Sequence, residues 1–514
     1  MNRDNIRLLA RARHDADARL EVGRRYLQGL EGFPRNELLG VEYLSHPHLD
    51  QSISAARVVC EALGLDRLVA FDRLGMLSRL AATGHADAQF KLGVWLGAGL
   101  GQRKEAMRWL ASAARSQHEG AARVVAVVAV LDDARWIRGF ADAVSQCSNI
   151  PLRRVLDLAA RRARDASDMP TLLHCCVLAL AQRGPITADL ARQVLHVLRH
   201  APSLTTDGTI SSTDLEGCLE ALVAEGDHDA SFLLGCALCG LPNPEFSTGT
   251  SAIGRSMRKG VALLLRSADS GHHAAWMHLY KLHADNRGSL ANPQLARFFL
   301  EKAAAHGDPV AQRVIGALTM RTASTLKESE AAIAWLHAAA NQDDRLAMRL
   351  LESLVLPLAG SDQEADRAIA AVRDADPWLA MRMRLARDFG LTRQEALCID
   401  PVAARRPWGL SVGQNPFIAL PVKAAPRAVP AITTRAAETV VRAALLFEAG
   451  MRDGNVAEGD WRRRSSYQRA LFARLDIDQS LVFATAGSTA LNVLRKGHKW
   501  ALRVKPDLRQ ALAA

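Results

Sequence analysis

The chain is poor in most of the residues that mark small or specialised folds. Of 514 residues only 8 are cysteine and 35 glycine, which excludes a disulfide-stapled scaffold and a collagen-like one. Aromatic residues make up 5%, and lysine supplies only 10 of the 65 basic side chains. That arginine excess, with abundant alanine, points to the codon usage of a GC-rich bacterial genome. The most apolar run, Val124 to Leu131, falls far short of the ~20 residues that span a bilayer. Met1 to Arg11 is charged throughout and lacks the apolar core of a secretion signal. The cysteines are scattered, as reduced thiols are. A cytoplasmic protein without membrane association is expected.

The apolar share, 49%, is too high for a disordered chain. The length suits about three to four domains or one long repeat array. Charge is uneven. The net +11 resides almost entirely at one end: residues 401–514 hold 18 basic and 8 acidic side chains, against 47 and 46 in residues 1–400.

Internal repetition decides the fold class. Alanine followed at +4 by Val, Leu or Ile and at +5 by glycine recurs as Ala18-Val22-Gly23, Ala88-Leu92-Gly93, Ala230-Leu234-Gly235 and Ala311-Ile315-Gly316. Weaker copies keep the alanine, at Ala55, Ala121, Ala275, Ala347 and Ala380. Most steps between neighbouring anchors are 33–37 residues; the longer step from Ala230 to Ala275 fits an inserted loop from Pro242 through Gly249. Between Ala121 and Ala230 there is room for three units with faded signatures. A second pattern, Ala106-Trp109-Ala113, recurs as Ala296-Phe299-Ala303 and Ala332-Trp335-Ala339. Spacing i, i+3, i+7 marks one helix face. Each unit is therefore a helix pair, with alanines where backbones approach and an aromatic filling the gap beside them. A single pair cannot bury its apolar face, so neighbours must stack. The expected fold is all-α, a right-handed α-solenoid of helix hairpins.

These residues resemble the Sel1-like repeats, relatives of tetratricopeptide repeats. Gly23, Tyr26 and Gly29 are similar to the family's LGxxYxxG stretch, and Gly93, Leu96 and Gly99 follow it with leucine in place of tyrosine. The turns GHADAQ (84–89) and HGDPVAQ (306–312) resemble the start of the next unit. The resemblance spans about 15–395 and is weakest over 130–225. It implies an adaptor that holds protein partners on the surfaces of a superhelix. The expected organisation is a solenoid over 1–395, a Pro-rich linker or strap over 396–432, and a basic helical region over 433–514.

Other motifs have plainer explanations. Gly97-Ala98-Gly99-Leu100-Gly101 superficially resembles a phosphate loop, but it falls between two helices without the strand such loops follow. Cys236 and Cys239 form a CxxC with no second pair to complete a zinc site, so both are assigned to packing, as are Cys175 and Cys176. His85, His118, His272, His273 and His306 fall at equivalent turns between repeats and are expected to be exposed there. No catalytic signature is present, and no catalytic, cofactor-binding or metal site is predicted.

The C-terminal segment stands apart. Six prolines between Pro401 and Pro430 end the helical repeats, because proline removes a backbone donor. Helical periodicity then returns. Arg462, Arg463 and Arg464, with Trp461 and Tyr467, form one basic cluster. Arg495, Lys496, Lys499, Arg503 and Lys505 form another around Trp500. Such clusters attract phosphates by counterion release, or brace the fold, or dock an acidic protein; both tryptophans, at helical spacing, suit a core. The expected function is a non-enzymatic adaptor or scaffold, the alternative being nucleic-acid association through these cations.

Overall fold

The structure, a computed structural model, describes residues 3–131, 136–147, 151–182, 184–205, 209–242, 254–413, 426–452 and 461–513. Residues 243–249 of the expected insertion and 414–425 of the Pro-rich segment lie outside them. Thirty α-helices dominate the described residues, and contacts divide the chain into two compact units, Met1–His272 and His273–Ala514.

A repeated cap starts the helices. In four of the anchor helices the N-cap lies three residues before the alanine, and its short polar side chain accepts the alanine N–H. Ser52 caps Ala55 at 3.2 Å, Asp227 caps Ala230 at 2.9 Å, Asp308 caps Ala311 at 2.7 Å and Asp344 caps Ala347 at 2.9 Å. This satisfies a donor that the first helical turn leaves orphaned. The anchors themselves are buried.

The glycine at +5 has one purpose in both units. It admits a leucine from the second helix of the pair. A Cβ at Gly23 would stand 2.5 Å from Leu44 Cγ, at Gly93 2.7 Å from Leu110 Cγ, at Gly235 2.9 Å from Leu264 Cγ, and at Gly316 2.8 Å from Leu336 Cγ. Leu110 and Leu336 are fully buried, whereas the preceding Trp109 and Trp335 are only half-buried. The residue after the aromatic therefore fills the gap at Gly93 and Gly316. At the third site both Phe299 and Leu300 are buried.

In Met1–His272 the faded stretch holds five further helices, Trp136–Cys147, Arg153–Asp165, Met169–Ala181, Ala188–His200 and Ser212–Ala224. With Glu119–Val128 they make three pairs, filling the gap between Ala121 and Ala230. The array is not strictly nearest-neighbour here. Helix Arg153–Asp165 packs on Leu65–Ala70, and the Asp66 carboxyl faces the backbone N–H groups of Arg153, Arg154 and Val155. Arg153 is buried and donates to the Ala179, Gln182 and Gly184 carbonyls.

In His273–Ala514 helix pairs continue to Arg393–Cys398. The Pro-rich segment then forms a three-stranded antiparallel sheet of Arg405–Arg406, Gly409–Val412 and Arg427–Pro430, with Leu410 opposite Val429. Gly409 has φ +146 with the Val429 carbonyl in the space of a Cβ, so only glycine fits. The helices that follow pack into two cores. Thr434–Arg452 and Trp461–Arg474 cover Pro377–Phe389 and Arg393–Cys398 through Val440, Leu471 and Phe472. Ser488–Arg495, Gly497–Arg503 and Lys505–Leu512 bring Leu494, Trp500, Val504 and Leu508 into a core with Leu336, Leu350 and Leu351. Among the described residues no helix is long and apolar enough to cross a membrane.

Candidate protein-binding surfaces

Within His273–Ala514 adjacent repeats leave a cleft of about 460 Å³ lined by residues of Ala274–Ala284, Pro293–Ala305 and Pro309–Thr322. Tyr280, Leu300, Ile315 and Leu318 give it an apolar lining, with Arg297 and Arg321 at its rim. Each wall side chain is held by its helix: Ile315 lies one residue from the glycine that admits Leu336, and Leu300 follows the buried Phe299. His283 is buried, its Nδ1 2.9 Å from the Leu279 carbonyl and its ring edge-on to Phe299. Burial pushes the Tyr280 hydroxyl up. Arg297 pairs with Glu301 at 2.9 Å, whereas Arg321 meets no carboxylate among the described residues.

The inter-repeat histidines are only partly the exposed turn residues that their positions suggest. His85 and His118 are half-buried helix caps, accepting the Ala88 and Ala121 N–H groups on Nδ1 at 3.3 and 3.1 Å. That bond needs Nδ1 unprotonated. His118 also stacks on Phe90, and His272 on Phe232 while lying 3.1 Å from Asp229. His273 and His306 are exposed and stack on each other at 3.9 Å.

The glycine-rich stretch is accounted for by packing. Trp95–Gly99 is a π-helical turn; the Phe140 ring occupies the space of a Cβ on Gly97, and the Arg162 guanidinium that of a Cβ on Gly101. The cysteines lie in the core: burial pushes the Cys236 thiol up to about 12 and Cys239 to about 11. Cys175 rises to about 12 for the same reason, and Cys176 is also raised. Among the described residues no group of His, Cys, Asp and Glu is arranged to hold a metal ion.

The C-terminal cations part company. Arg462 and Arg463 are exposed on Trp461–Arg474, whereas Arg464 is half-buried and donates to the Leu397 carbonyl at 2.8 Å. A cleft of about 540 Å³ brings Arg463, Arg464, Ser466 and the exposed Tyr467 together with the buried Arg382. Arg393 lies over the Trp461 ring at 5.7 Å. In the second cluster Arg495 turns inward and burial lowers its pKa, while Lys496, Lys499, Arg503 and Lys505 are exposed. Trp500 is fully buried and donates to Ser353 Oγ at 2.9 Å. The two clusters belong to elements packed in different cores.

Two buried ion pairs escaped the sequence reading. Arg313 pairs with Asp344 and also donates to the Ala511 carbonyl at 3.0 Å. Arg427 grips Glu395 through Nε at 2.7 Å and Nη2 at 3.0 Å, with further bonds to the Gly390 and Leu354 carbonyls. Burial alone would raise the Glu395 carboxyl, but Arg427 and the Thr392 N–H and hydroxyl outweigh it and hold the carboxyl below its usual range. Thr392 and Glu395 also form a capping box at the start of Arg393–Cys398; neither it nor the distant arginine partner was read from the sequence.

Five segments, 16–45, 86–118, 245–272, 282–308 and 325–344, match the model of the Sel1 repeat. The chain carries Sel1 repeats in these segments and has an α-solenoid fold. No curated protein matches the chain. Among solved structures, a protective antigen present in uropathogenic Escherichia coli strains displaying an SLR fold is 16% identical, covering 100% of this chain and 96% of its own, with a TM-score of 0.30. A Sel1 repeat protein from Oxalobacter formigenes is also 16% identical, covering 69% of this chain and 91% of its own, with a TM-score of 0.27.

Proposed function

We propose that this chain is a non-enzymatic scaffold that holds a protein partner in the inter-repeat cleft of its second unit. Sel1 repeats generally mediate protein–protein interaction. The observation that carries the placement is the apolar cleft of Tyr280, Leu300, Ile315 and Leu318 beneath two arginines. An apolar cavity with few oriented polar groups suits a side-chain anchor, and such anchors rather than total area set affinity. The test compares co-purified partners of the wild-type chain and a Leu318→Arg variant by quantitative mass spectrometry. Leu318 is half-buried at the cleft, so the variant is expected to keep its melting temperature and lose a defined partner. An unchanged partner set removes the cleft from consideration.

A second reading, nucleic-acid association through the C-terminal cations, has one observation in its favour: Arg463 and the exposed Tyr467 share the cleft beside Arg464. Oligonucleotide binding that falls steeply between about 50 and 200 mM salt, and is lost in an Arg462→Glu/Arg463→Glu variant, would support it. Binding indifferent to that variant would remove it.

A further inference from the structure

We propose that the outward face of helices Gly497–Arg503 and Lys505–Leu512 is a second docking site, for an acidic protein segment that also carries an apolar side chain. Lys496, Lys499, Arg503, Lys505 and Arg509 are all exposed, and among the described residues no carboxylate pairs with any of them. Elsewhere in the same unit arginines find acids: Arg387 and Arg435 both reach Asp362, and Arg384 reaches Asp366. The only carboxylate in these terminal helices is the half-buried Asp507. The face thus presents an excess of positive charge that the fold does not use.

A second observation selects the partner. Leu502 is 73% exposed. It lies three residues after Lys499 and one before Arg503, so the three share a helix face opposite Gly497, Trp500 and Val504. Single-stranded nucleic acid is gripped by aromatic platforms beside cations, but Trp500 is fully buried on the inward side. An exposed leucine flanked by cations instead matches a segment that alternates carboxylates with an apolar residue. The face is also held rigidly. Gly497 N–H donates to the Ala323 carbonyl at 3.0 Å, Arg313 to the Ala511 carbonyl, and Trp500 to Ser353. Little ordering entropy then remains to be lost on the scaffold's side of the interface.

The inference rests on the scaffold reading but uses a surface other than the inter-repeat cleft. Its test is fluorescence anisotropy on the full chain with three probes: an amphipathic peptide of glutamate and leucine, a glutamate-only peptide, and a single-stranded oligonucleotide of equal charge. The amphipathic peptide is expected to bind at low salt. Lys499→Glu/Arg503→Glu should weaken it by about tenfold or more, since charge reversal replaces attraction with repulsion. Leu502→Ser should weaken the amphipathic peptide by about threefold or more and leave the glutamate-only peptide unchanged. The proposal is overturned by absence of binding, by insensitivity to either variant, or by an oligonucleotide that binds more tightly than the peptide. A peptide lost in Leu318→Arg but retained by Lys499→Glu/Arg503→Glu would place it in the cleft, overturning this site and leaving the scaffold standing. A peptide retained by Leu318→Arg, in a chain whose cellular partners do not change, would remove the cleft alone.

Discussion

Arg313, in a repeat helix, is buried against Asp344 and donates to a distant carbonyl; Lys499, in a terminal helix, is exposed and meets no carboxylate among the described residues. Both are basic residues of the same compact unit, but only the first is a structural part. Arg384 and Arg387, in the repeat helix Pro377–Phe389, likewise reach Asp366 and Asp362, and Arg427, in a strand, is held by Glu395 and by the Gly390 and Leu354 carbonyls. The terminal helices instead hold on through Trp500, Val504 and Leu508, leaving their cations outward. Excess charge in composition is therefore a poor guide to function until each guanidinium or ammonium has been placed.

Removing the most deeply buried charge should separate the two regions most sharply. Arg427→Ala leaves Glu395 buried without its partner and should cost about 3–5 kcal/mol, measured as a shift in denaturant midpoint. A loss comparable to that of an exposed cation would show the pair to be dispensable. Next, Leu336→Ala should cost about 2–5 kcal/mol by opening a cavity beside Gly316. The half-buried Trp335→Ala should cost less, and the reverse order would show that the aromatic fills the gap after all. Gly316→Ala, which presses a methyl into Leu336, should destabilise by about 1–3 kcal/mol.

Acid sharpens the contrast. The carboxyl of Glu395 is held below its unfolded value, so the stability it contributes is complete above the ordinary glutamate range. That contribution is lost as pH falls through the folded value. An Arg427→Ala/Glu395→Gln double variant should lose this pH dependence, seen as a flatter plot of stability as pH falls below the ordinary glutamate range. The smallest effect is expected from Lys499→Glu/Arg503→Glu, within about 0.5 kcal/mol of wild type. A larger loss would mean that these cations brace the fold.

The repeats were legible because their signal is periodic and local: an alanine, an aliphatic residue four positions on and a glycine five positions on, returning mostly every 33–37 residues. What could not be read was everything set by a partner far along the chain. The spacing of Ala332, Trp335 and Ala339 identified a helix face, but the fully buried Leu336 rather than Trp335 meets Gly316, and that depends on the rotation of one helix against the other. The strands Gly409–Val412 and Arg427–Pro430 are four residues each, separated by 14 residues and flanked by prolines, so no alternation could announce them. Arg464 and Arg495 sit among exposed neighbours in sequence and differ only in what they face. The helical character of the region after the prolines was visible as periodicity; the acceptor role of the Ala511 carbonyl toward Arg313 was not.

The clasp between Arg313 and Ala511 joins positions 198 residues apart. Repeat contacts are mostly local and can form as successive pairs leave the ribosome. This one cannot exist until Ala511 has been made, 198 residues after Arg313. The last repeats therefore wait, with the apolar faces around Leu336 and Leu350 uncovered, for the final helices to arrive. In a kinetic experiment that closing step should behave as a late event of high contact order, and a ribosome-stalled chain lacking the terminal helices should bind chaperones through those faces.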